Sequence, residues 1–196
     1  MRKVQQLIAS GMKSSLDDLN RKHKTTALFA SSVIQAIKES EAEGSKELQT
    51  KGIDTMAPDK QAYYVSLALR EIKNIIEVAN FNLEGALTPG KPIVNNMYFE
   101  KDGKAIIEVH VPFDMEVQGD DFSNVSGAFN LELRKEYADL VTYNVKLPTV
   151  AKPSVAVDLT ITLPSALCTS IGADKFDTRT KVLQKYMEGL LKKELS

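Results

Sequence analysis

Apolar residues recur at three- and four-residue intervals through the first part of the chain and at two-residue intervals further on, and this change of period sets the expected architecture. Val4, Leu7, Ile8, Met12, Leu16 and Leu19 make one helical stripe, with Lys13, Ser14 and Asp17 filling the other positions. A break is expected over Arg21 to Lys24. Thr25 or Thr26 then caps a second helix, whose stripe is Phe29, Val33, Ala36 and Ile37 and whose stop is Gly44. Residues 45–57 are polar, without periodicity, and read as a linker or surface loop. Pro58 suits the first turn of a third helix, because a proline there gives up no helical hydrogen bond. Its stripe is Tyr64, Leu67, Ala68, Ile72, Ile75, Ile76 and Ala79, ending near Asn80, and Gly85 to Pro92 follows as a turn around Pro89-Gly90.

Alternation then takes over. Residues 93–99 alternate loosely through Ile93, Met97 and Phe99, and Asp102-Gly103 predicts a hairpin turn. The clearest element follows. Ile107, Val109, Val111, Phe113, Met115 and Val117 are apolar, while Glu108, His110, Pro112, Asp114, Glu116 and Gln118 are not, which predicts one buried face and one wet face. Pro112 cannot donate to a ladder, so an edge position or a bulge is expected there. Phe129, Leu131 and Leu133 predict a further strand, hairpin-paired with Val141, Tyr143, Val145 and Leu147. Val155, Val157, Leu159, Ile161 and Leu163 predict a fifth, between Pro153 and Pro164. A C-terminal helix after Asp177 or Thr178 carries Leu183, Tyr186, Met187, Leu190 and Leu191.

The expected fold class is α+β: N-terminal helices, a mostly antiparallel sheet of about five strands with one buried face, and a C-terminal helix. Residues 1–44 form a helical segment that could serve as an interaction arm, and residues 58–196 form the α+β domain.

Composition narrows the setting. Twenty-five Lys and Arg against 26 Asp and Glu leave a net charge of −1, so no global attraction to polyanions is expected. The single cysteine, Cys168, excludes an intrachain disulfide and fits a reducing, cytoplasmic environment. Arg2 and Lys3 precede apolar residues spaced along a helix rather than run together, which argues against a signal peptide, and no apolar run approaches a membrane span. Charge is nevertheless uneven. Arg2, Lys3, Lys13, Arg21, Lys22 and Lys24 make the start basic, and Lys175, Arg179, Lys181, Lys185, Lys192 and Lys193 do the same for the last helix. The strand region is acidic, through Glu100, Asp102, Glu108, Asp114, Glu116, Asp120, Asp121, Glu132, Glu136 and Asp139. Such polarity could guide head-to-tail association of identical subunits, although solvated faces also differ in charge without consequence.

Three motifs invite chemistry. Gly85 to Lys91 has the spacing of a phosphate-binding loop, but Pro92 stands where a magnesium-holding Ser or Thr belongs, and the loop follows a helix instead of preceding one. Glu108, His110, Asp114 and Glu116 share the polar side of one strand, with neighbours about 6.5–7 Å apart. A metal or a general base could be built there only with a third group from elsewhere, and alternation alone explains these residues. Cys168, in a short helix capped by Ser165, would need His23 or His110 beside it to become a nucleophile. No catalytic, cofactor or metal residue is therefore assigned.

The resulting expectation is a non-enzymatic structural or assembly protein acting through subunit contacts, a viral or phage particle component being one setting for it. Its partners are itself or other proteins of an assembly, with residues 1–44 or an exposed edge strand reaching the neighbour. Two readings compete: a helix-grip domain holding a small molecule against the aliphatic sheet face, and a nucleic-acid partner for the basic terminal helices.

Overall fold

The computed structural model describes Leu48 and residues 52–116 and 122–196. The two helices expected before Gly44, the arm they form, and Val117, Gln118, Asp120 and Asp121 lie outside the described residues.

A long helix, α1 (Pro58–Asn82), is followed by β1 (Leu87–Pro89), β2 (Ile93–Phe99), β3 (Ala105–Met115), a short α2 (Ser123–Ala128), β4 (Val141–Lys146), β5 (Ser154–Leu163), α3 (Ser165–Ser170) and α4 (Arg179–Leu195). Single turns of 3-10 helix stand at Ile53–Thr55 and Lys135–Tyr137. The class is α+β with an open, fully antiparallel five-stranded sheet.

Pro58 opens α1 as expected. The helix closes two residues beyond the expected Asn80, with the amides of Glu84 and Gly85 turned back onto the carbonyls of Phe81 and Asn80. This is a Schellman cap in which Glu84 takes the left-handed position, at φ 56°. Between Tyr64 and Leu69 the helix is buried on every side. It is the organising element, packed by β4 and by α2, α3 and α4. The segment ahead of Pro58 adds Leu48, Ile53 and Met56 to the same core.

In the sheet β3 pairs with β5, and β5 with β4, while β1 and β2 lie end to end along the other side of β3. The alternation in β3 and β5 holds. Ile107, Val109, Val111, Phe113, Val155, Val157, Leu159, Ile161 and Leu163 are each at most 4% exposed on the helix-covered face. Glu108, His110, Asp114, Asp158 and Thr160 line the other. The hairpin between β2 and β3 turns at Gly103 with φ 87°, where Asp102 accepts the Lys104 amide.

Pro112 is not on an edge. It sits inside β3, which pairs with β5 on one side and with β1 and β2 on the other, and its own ladder partner is Ala156 of β5. In the β3–β1 register its carbonyl accepts the Gly90 amide, so its nitrogen faces the same way, into the break between Pro89 and Ile93 where no strand asks for a donor. Gly90 is required there, because a Cβ would stand 2.9 Å from the Pro112 ring. The turn expected over Gly85 to Pro92 thus contains β1.

Phe129, Leu131 and Leu133 do not form a strand, and β4 pairs with β5 instead. The 129–134 segment runs irregularly, its polar groups met by side chains. Glu71 accepts the Arg134 amide at 2.9 Å, Asn82 donates to Ala128 O, and Tyr143 Oη donates to Leu131 O at 2.6 Å. Ser165 is the first residue of α3 rather than its cap, which is Pro164. The C-terminal helix starts after Thr178 as expected and packs chiefly on α1.

Candidate interaction surface

Each of the long helices carries a second row of residues beside the stripe it buries in the core. On α1 these are Ala62, Tyr63, Ser66 and Arg70; on α4 they are Val182, Lys185, Tyr186, Gly189 and Lys193. Packing of α4 against α1 sets the two rows on either side of a trough of about 710 Å³. Ala62, Ser66 and Gly189 are too small to fill it, and Tyr63, Ile171, Val182, Tyr186 and Leu190 give it apolar walls. Tyr63 is 51% exposed, unusual for an aromatic on a helix that is otherwise the centre of the core. Burial pushes the Tyr186 phenol above the ordinary tyrosine range, with the Cys168 thiol adding to it, so this wall stays neutral.

The rim is charged. Arg70, Lys185 and Lys193 face a single lining acid, Asp59. Arg70 is fixed by Glu194, which receives its Nε at 2.7 Å and also pairs with Lys193 at 3.4 Å. Glu194 is almost wholly buried. Burial opposes its ionisation, but the hydrogen bond from Arg70 and its charge, with Lys193 behind, outweigh that and hold the carboxyl below its usual range.

The two sides of the sheet offer unequal edges. The β1–β2 side is interrupted by Pro89, Gly90 and Pro92 and by a register shift between Val94 and Asn96, devices that blunt an edge. β4 has neither proline nor bulge and keeps continuous register with β5. Thr162 donates to Leu140 O, so by alternation the backbone groups of Tyr143 and Val145 point away from β5. Beyond it, Leu147 and Val150 are 52% and 72% exposed.

The residues singled out from the sequence are placed as follows. On the wet face His110 Nδ1 meets Asp158 Oδ1 at 2.6 Å, and Lys146 Nζ meets Asp158 Oδ2 at 2.7 Å, three strands contributing one residue each. Burial is the largest single influence on the Asp158 carboxyl and would raise it, but the hydrogen bonds and charges of Lys146 and His110 together prevail and lower it. Sequence reasoning missed Asp158 and Lys146, which become neighbours of His110 only through the register. Glu108 and Asp114 lie on the same face without closing on this trio. Among the described residues no group of three or more His, Cys, Asp or Glu is placed to hold a metal.

Most amides of the Gly85 to Lys91 loop are engaged. Those of Glu84, Gly85 and Ala86 cap α1, that of Leu87 goes to Asn80 Oδ1, and that of Gly90 to Pro112 O. With these bonds made, the loop does not present the row of free amides that cradles a phosphate. Cys168 is 2% exposed with its thiol toward Leu163 O, and burial pushes its pKa up, the opposite of an activated nucleophile. Of the basic residues in the last helix, Arg179 stacks on Phe99 and Phe176, at 4.6 and 4.8 Å from the ring centres, and Lys181, Lys185 and Lys192 are exposed. No described helix is long and apolar enough to cross a membrane. Comparison with protein-family models, with curated proteins and with solved structures finds no match.

Proposed function

We propose that this chain is a structural or assembly protein that acts through contacts with other subunits rather than through catalysis, as a component of a larger particle. The observation that carries the reading is the α1/α4 trough: an apolar surface at the margin of the core, walled by exposed Tyr63 and half-buried Tyr186, with cations on its rim. Aromatic residues in a rimmed concavity are the usual anchors of a protein contact. The unblunted β4 edge, flanked by Leu147 and Val150, adds a second surface of the same kind. Residues 1–44 are the segment of this chain assigned to reach a neighbour.

Deletion of residues 1–44 tests the reading. Sedimentation velocity should find the shortened chain monomeric at concentrations where the full chain associates, with the far-UV spectrum of the sheet retained. Unchanged association of a folded deletion variant would remove the arm from the contact. Wholesale unfolding would make the segment part of the core and the reading wrong.

A further inference from the structure

We infer that β4 pairs with β4 of a second copy of this chain, antiparallel about a twofold axis at Asn144, so that two five-stranded sheets join into one. This contact rests on the assembly reading above and gives it a defined geometry.

The sheet ends at β4 on this side. Because Thr162 donates to Leu140 O, the backbone groups of Leu140, Thr142, Asn144 and Lys146 are directed at β5, and those of Tyr143 and Val145 are directed outward. Among the described residues no backbone bond reaches these outward groups. Val141 is fully buried, so the open stretch begins at Thr142. Thr142, Asn144 and Lys146 are exposed, and Tyr143 and Val145 are partly so. Outward amides and carbonyls on a strand without proline or bulge are a template for another strand.

The edge also selects which strand that is. Head-to-tail growth is refused, because the opposite side of the sheet is interrupted by Pro89, Gly90 and Pro92 and by the register shift in β2. β4 can meet its own copy, and a twofold at Asn144 uses the whole open stretch. Tyr143 then stands opposite the second copy's Val145, and Val145 opposite its Tyr143. Both are hydrogen-bonded pairs, closing about four ladder bonds. Each sets an aromatic side chain against a β-branched one on the helix-covered face, a favourable cross-strand match. Lys146, the one charged residue in β4, falls across from Thr142, so the two lysines do not oppose each other. Leu147, 52% exposed, continues the apolar side past the ladder. The pairing uses β4 of both copies, so this contact alone closes at a dimer.

The test is cross-linking in the full chain. A twofold at Asn144 makes the two Asn144 residues a non-hydrogen-bonded pair with Cα atoms about 4.5 Å apart, inside the range a disulfide spans. The two Thr142 positions are then roughly 13 Å apart along the strands. Cys168 is 2% exposed and does not compete. Under mild oxidation Asn144→Cys should form a covalent dimer at least tenfold faster than Thr142→Cys. Val145→Pro removes an outward donor from each copy while sparing the β5 ladder, and should weaken association at least tenfold in sedimentation velocity. Asn144→Lys keeps an exposed position facing Asp158 on β5, which protects the fold, but sets two cations against each other across the axis. It should weaken association several-fold, and it decides the matter if Val145→Pro fails to fold.

Thr142→Cys cross-linking as fast as Asn144→Cys, or a folded edge variant associating as tightly as the parent, would overturn the β4 pairing and leave the assembly reading standing on another surface. A parent that is monomeric at every concentration would overturn both.

Discussion

Glu194 couples the rim of the trough to the stability of the fold, and replacing it by Gln gives a prediction with a worked sign. The carboxylate is 3% exposed and accepts from Arg70 at 2.7 and 3.5 Å, with Lys193 at 3.4 Å. A hydrogen bond to a charged group contributes about 1.5–3 kcal/mol, but Arg70 is 45% exposed, so water replaces part of what is lost and about 1–2 kcal/mol is expected for Glu194→Gln at pH 7. For a chain of this size that is a fall of roughly 2–8 °C in Tm. The effect depends on pH in a definite direction. The folded pKa of Glu194 is depressed, so its contribution is complete above the unfolded value of about 4.3 and is lost as pH falls through the folded value. Urea denaturation followed by circular dichroism, at one protein concentration, should show a gap between parent and variant at pH 7 that narrows by pH 3. Asp158 titrates in both proteins and cancels in the difference. A gap as large at pH 3 as at pH 7 would mean that the change acts through packing, and the charge argument would be refuted; no gap at pH 7 would refute it equally.

Three further outcomes follow from the geometry. Glu84→Gly relieves a left-handed residue at the cap of α1 and should raise stability by about 0.5–1 kcal/mol, read from the urea midpoint. Cys168 should resist a thiol reagent at pH 8 in the folded protein and react at once in denaturant, because burial raises its pKa; rapid labelling of the native state would contradict that placement. Ile161→Ala, at a fully buried position between β3 and β4, should cost about 2–5 kcal/mol, whereas Asp158→Asn on the half-exposed wet face should cost less than about 1 kcal/mol and leave association unchanged.

Much of the fold was legible because one rule decided each element. Strict alternation in β3 and β5 separated their faces, Pro58 marked the start of α1, and Asp102-Gly103 marked the hairpin. The errors came where two distant segments settle the matter. Phe129, Leu131 and Leu133 alternate like a strand, yet Glu71 and Tyr143 hold that segment against the core without a ladder, a solution set by residues of α1 and β4. Pro112 obeys the rule that a strand proline must not be asked for a donor, but it does so opposite the gap between β1 and β2 rather than on an edge. β1, only three residues long, has no period to read; it exists because β3 runs on past β2.

The trough was the least legible feature. Its two walls are more than a hundred residues apart in sequence, and neither Tyr63 nor Tyr186 stands out on its own helix. One local signal could have pointed to it. Gly189 sits inside a helical pattern where glycine is unfavourable, and such a residue usually has a packing reason. The trio on the wet face was half visible, as His110 in an alternating strand, but Asp158 and Lys146 needed the register.

Sedimentation equilibrium of the full-length parent across a wide concentration range tests the central claim most directly. Subunit contacts through the trough predict an average mass that climbs above the 21.6 kDa of one chain as concentration rises. A mass that stays at one chain throughout would contradict the account.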